Sequence, residues 1–265
     1  MTRSFSIGRT TRNAPRARYA NARTHRTTTT TTTRMSATKY IQVVTHGVSG
    51  VQAWTEMAMG MVSAPEKPPH LSLIKKFYCG ASNVYSEICV VHCIDGEDNL
   101  KATQALFDPK GDFLKGFYES PVMKGREATM NWNNMEVMVE YPAGKGWDDV
   151  EEGAVIGVYA HGVPNAAEWA KIFEKAVSED EGAMHKNSGI TKSFGGKMFE
   201  SDWEVKEGFE GAMVVHVFKS LDDKAKFDKM FDPTAEFFGG MVAAGAAAEP
   251  FHSNGNGPIF TIDGV

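Results

Sequence analysis

Apolar and polar positions along this chain change period in a fixed order, and the order occurs twice. Residues 40–45 and 155–160 are short β-branched and aromatic runs that end at His46-Gly47 and His161-Gly162, so each predicts a strand closing in a turn. Trp54, Met57, Ala58 and Met61 then recur at helical spacing, as do Trp169, Ile172, Phe173 and Ala176. Residues 71–78 and 87–94, and likewise 190–199 and 211–218, read as the two strands of a hairpin. Residues 98–107 and 221–231 return to helical character before an Asp-Pro break, with a short helical stretch through Phe113 or Phe237 beyond it. Residues 135–141 and 258–263 supply a last strand. The predicted order in each half is β-α-β-β-α-β.

The repetition extends to individual residues. Val43-Val44-Thr45-His46-Gly47-Val48 with Trp54 matches Val158-Tyr159-Ala160-His161-Gly162-Val163 with Trp169. Val90-Val91-His92, Phe107-Asp108-Pro109 and Phe113 match Val214-Val215-His216, Phe231-Asp232-Pro233 and Phe237 in the same sequence order. Two collinear blocks of uncommon residues predict an internal duplication. The expected organisation is a unit over residues 39–141, a Gly- and Pro-rich linker over 142–153 and a second unit over 154–265.

A split βαβ sheet carries helices on one face only, so its other face needs a cover, and a second copy in the same chain supplies one. On this pattern the chain resembles the dimeric α/β-barrel superfamily of ferredoxin-like proteins. That resemblance implies an α+β fold of two tandem ferredoxin-like units packed as a pseudo-dimeric barrel. Ala167-Glu168-Trp169-Ala170-Lys171-Ile172-Phe173, Gly189-Ile190 and Val214-Val215-His216 are also similar to small single-unit cyanobacterial proteins of unknown function. The superfamily holds cofactor-free monooxygenases, haem-degrading or haem-binding enzymes, isomerases and proteins without known activity, so it fixes no reaction.

Charge separates the first 34 residues from the rest. They contain eight Arg, no Lys, no acid and seven consecutive threonines, Thr27 to Thr33. This make-up predicts a disordered transit peptide, addressed to the plastid stroma or, as the alternative, the mitochondrial matrix. Without them the chain has 20 basic residues against 33 acidic, a net charge of −13. Such a surface argues against nucleic-acid and anionic-membrane partners. A small apolar molecule in the barrel interior is the expected partner of a monomer with an internal pseudo-dimer or of a homo-oligomer. Cys79, Cys89 and Cys93 have neither zinc-site nor disulfide spacing.

Four histidines are the candidate catalytic or metal-binding groups: His46 and His161 at the ends of the first strands, His92 and His216 on the third. By strand parity His46 shares a face with Gln42 and Val44, and His161 with Gly157 and Tyr159. The opposite face, with Ile41 and Val43 or Ile156 and Val158, is more apolar and is expected to meet the helices. The histidines are then expected in the barrel interior, with Gln42, Tyr159 and Phe218 lining a ligand site. Three readings follow: a binder of a small apolar ligand, an oxygenase, isomerase or lyase working without a cofactor or through haem or a metal, and an assembly module. The cofactor is left open, and the metal ligands with it. Trp54, Trp169 and the two Phe-Asp-Pro motifs are expected to serve packing.

Overall fold

The computed structural model describes residues 37–66, 72–82, 87–108, 110–125, 129–151, 153–178, 188–230 and 252–263, all within one compact unit. The expectations for residues 1–34 and for the second Phe-Asp-Pro motif lie outside the described residues. The first half runs β1 (Lys39–Gly47), α1 (Val51–Ser63), β2 (Lys76–Ser82), β3 (Glu87–Asp95), α2 (Glu97–Leu106), α3 (Asp112–Glu119) and β4 (Asn131–Tyr141). The second runs β5 (Val155–Val163), α4 (Ala166–Ser178), β6 (Ile190–Phe199), β7 (Glu210–Phe218), α5 (Leu221–Met230) and β8 (His252–Asp263).

The eight strands close into one antiparallel barrel in the order β1-β3-β2-β8-β5-β7-β6-β4. Within each half the first strand sits between the third and fourth, and the seams β2–β8 and β4–β6 join the halves. Closure removes the sheet edges that an open sheet would leave exposed.

Three apolar clusters divide the core. The interior of the barrel takes Ile41, Val43, Tyr78, Val91 and Met135 from the first half and Ile156, Val158, Phe194, Met213 and Val215 from the second. The other two clusters lie between the sheet and the helices of each half: Val44, Trp54, Ala58, Phe77, Cys79 and Val90 in the first, Tyr159, Trp169, Phe173, Val214, Phe218 and Phe227 in the second.

This reverses the expected facing. The more apolar parity of β1 and β5 lines the barrel, and the histidine-bearing parity meets the helices. Both faces of these strands are buried, β5 along its full length, so a small difference in polarity does not mark an outside. The barrel interior is packed mainly by apolar side chains of the strands of both halves. The layer under the helices admits polar groups where they find partners.

Residues 142–153 do more than connect. Trp147 is buried in the barrel interior, its ring centroid 4.5 Å from that of Phe194. Tyr78 OH donates to the Trp147 carbonyl, and Trp147 Nε1 donates to Asp95 Oδ1 at 3.3 Å. The buried Lys192 reaches from β6 to the carbonyls of Gly146, at 2.9 Å, and Asp148. The expected linker is a plug at one end of the barrel.

Candidate functional site

The layer between sheet and helices differs between the halves. In the first, a cavity of about 80 Å³ lies beneath α1 and α3, walled by Trp54, Phe77, Phe107, Phe117 and Trp132, with Val44, Ala58 and Cys79 as its small residues. That is room for several water-sized groups, and about half the volume of an apolar cavity that takes a benzene ring. Two of its wall residues are His46 and His92. A larger, open depression of about 490 Å³ beside Asp149, Glu151, Thr191 and Lys219 is lined mainly by exposed loop residues and brings no buried polar group to bear.

His46 is 2% exposed, with Trp54 at 5.7 Å and Phe117 edge-on at 6.0 Å between ring centroids. Its Nδ1 has no hydrogen-bond partner among the described residues. Burial lowers its pKa from 6.5 to about 4, with the Gly47 backbone opposing weakly, so the ring is neutral at physiological pH. A buried, unpaired ring nitrogen is costly unless something completes it.

His92 is anchored instead. Its Nδ1 lies 2.9 Å from Gln42 Oε1; Gln42 Nε2 donates to Asn134 Oδ1 at 3.2 Å; and Asn134 Nδ2 donates to the Glu200 carbonyl at 2.9 Å. The three side chains stand side by side at one register across β3, β1 and β4. Phe107 stacks on the His92 ring at 5.4 Å and 19°, and Trp132 lies 4.9 Å from Phe107. Phe107, expected to serve packing alone, is part of the cavity wall.

In the second half the corresponding volume is occupied. Strand register matches Val44 to Tyr159 and Cys79 to Gly195, and helix position matches Ala58 to Phe173. A Cβ on Gly195 would stand 2.4 Å from Phe173 Cε1, so the missing side chain is what lets that ring sit on the strand. Tyr159 donates to Asp228 at 2.7 Å, and Phe227 packs 4.7 Å from His216 and 5.2 Å from Phe218. His216 Nδ1 meets Ser193 Oγ at 2.7 Å, and His161 packs against Trp169 at 5.6 Å.

Of the residues singled out in the sequence, His46, His92 and Gln42 therefore come together in the first half. His161, His216, Tyr159 and Phe218 belong to a filled layer in the second, and neither group lines the barrel interior. The four histidines do not converge. Among the described residues no group of three His, Cys, Asp or Glu side chains is placed to hold a metal. Asn134 and Ala58 are the residues sequence reasoning missed. Ala58 was detectable by comparing residue sizes between the copies, and Asn134 by its place opposite Gln42 once strand order was known.

No family model and no curated protein matches the chain. Solved structures do. An anthrone oxidase-like protein superposes with a TM-score of 0.52 at 13% identity, over 85% of this chain and 93% of its own. A protein described as a candidate monooxygenase from Fusobacterium nucleatum gives 0.51 at 12%, over 87% and 98%. Another from Lactobacillus acidophilus gives 0.52 at 8%, over 85% and 100%. The chain shares their fold, the dimeric α/β barrel. At such identities the likeness concerns the backbone only.

Proposed function

We propose that the chain binds a small, largely apolar aromatic molecule in the first-half cavity, with His46 as its polar partner. One observation carries this reading: a buried, neutral imidazole, its Nδ1 without a hydrogen-bond partner among the described residues, stands among the side chains that wall an aromatic cavity. The test is calorimetric titration of the full chain with phenol and with toluene. Saturable binding that His46→Phe weakens supports the reading, and no binding of either compound contradicts it.

A second reading, catalysis without a cofactor, is favoured by the same imidazole. The ring is unprotonated and can accept a proton, although burial makes it a weaker base than a solvated imidazole. On an activated CH2 group, His46 would take a proton, the carbanion would reduce O2 to a bound hydroperoxide, and the proton would return as water leaves. The net change is one O2 consumed, one ketone and one water formed. The oxidase and monooxygenase descriptions of the structural neighbours lend this reading its class. Oxygen uptake on a carbon acid, abolished in His46→Gln, is its measurement.

The same proposal takes the chain as a tandem of ferredoxin-like units, residues 39–141 and 154–265. The strand orders β4-β1-β3-β2 and β8-β5-β7-β6, the matched residues and a superposition too extensive for one half all support it. Duplication leaves one copy free to keep a cavity while the other is filled. The Arg- and Thr-rich first 34 residues support delivery to an organelle, the plastid first, which a fluorescent fusion of that segment tests.

A further inference from the structure

The polar chain beside the cavity has a direction, and its far end sets it. The Glu200 carbonyl can only accept, so Asn134 must turn its NH2 toward it and its oxygen toward Gln42. That oxygen can only accept, so Gln42 offers its own NH2 there and its oxygen to His92. An amide oxygen beside the ring requires N–H at Nδ1. Glu200 is a non-glycine residue at φ 45°, just past the end of β6, and its side chain accepts from Gln104 of α2. The anchor therefore comes from the second half, across the β4–β6 seam.

We infer that Gln42 and Asn134 are positioning residues that lock His92 as the Nδ1–H tautomer, so that Nε2 is the ring nitrogen able to accept a hydrogen bond. The second half lacks the device. Gly157 stands where Gln42 does, and His216 faces the Ser193 hydroxyl, which donates or accepts equally well and so fixes no tautomer. A bare imidazole in water prefers the other tautomer, so the chain imposes a form that His92 would not adopt alone.

The test is the side-chain 15N spectrum of the full chain at mildly alkaline pH, with His92 assigned by loss of its signal in His92→Phe. The expected spectrum shows a pyrrole-type Nδ1 and a pyridine-type Nε2; the reverse overturns the inference in the wild-type protein itself. Gln42→Leu should release the ring toward the Nε2–H form, and Gln42→Glu, which keeps an acceptor beside Nδ1 but loses the donor to Asn134 Oδ1, should still hold the proton on Nδ1. A purely structural Gln42 would leave the tautomer unchanged in a folded Gln42→Leu protein. Should that variant not fold, the wild type and Gln42→Glu still decide.

Discussion

His46 is 2% exposed, and burial holds its pKa near 4 against 6.5 in an open chain, so folding and proton uptake compete at this residue. Between those two values the unfolded chain binds a proton there and the folded chain does not. Stability from this group is complete above pH 6.5 and is lost as pH falls toward 4, by on the order of 3 kcal/mol. Denaturant unfolding across that window should give a flatter pH dependence in His46→Leu than in the wild type; equal slopes would mean the ring is not held neutral. Ala58→Phe should direct a ring into the first-half cavity, seated differently from Phe173 because Cys79 carries the side chain that Gly195 lacks. Ligand binding is expected to vanish, with a stability change within about 3 kcal/mol from overpacking or from void filling. Retained binding in calorimetry would place the ligand elsewhere. At this scale much was legible: duplication picked out His46 and His92, and Gln42 on the strand face of His46. The size contrast of Ala58 with Phe173 was equally readable from the aligned copies. Partnership was not, because Asn134 meets Gln42 only through strand pairing.

Strand and helix order was readable at the scale of elements because each period change is marked by a turn or an Asp-Pro break. The facing of the strands was not. β1 and β5 are buried on both sides, and parity then shows which residues share a face without showing what that face meets. Helix seating explains the first-half cavity. α4 sits down on β6 through Trp169 and Phe173, whose rings stack at 5.1 Å and 5° over Gly195. α1 presents Ala58 over Cys79 instead, and the gap remains. Gly195→Ala should therefore lift α4, at about 1–3 kcal/mol in chemical denaturation, with no change in first-half binding. The seam is tighter still, since a Cβ on Gly196 would stand 1.8 Å from the Glu136 carbonyl oxygen. Gly196→Ala should break β4–β6 pairing and cost about 3 kcal/mol or more. It should also release Glu200 and so disturb His92. An unchanged melting temperature for Gly196→Ala would contradict this seam geometry.

At the scale of the molecule, neither half closes a core by itself: the barrel interior is shared by strands of both, and Trp147 plugs it from the connection between them. Trp147→Ala removes that plug and strands the Asp95 contact, an expected loss of about 3–5 kcal/mol by thermal or denaturant unfolding. Barrel closure follows from the need to cover an open sheet face, and the plug does not, because a Gly- and Pro-rich segment reads as a tether whatever its one tryptophan does. The division of labour in the whole protein then rests on a single contrast, an open histidine-walled layer in one half and a filled layer in the other. The most direct test is titration of the full chain with phenol, run in parallel on wild type, Ala58→Phe and His46→Phe. Saturable binding at one site in the wild type, abolished by the first substitution and weakened by the second while both variants stay folded, is the predicted result. Equal binding by all three proteins, or none by the wild type, would contradict it.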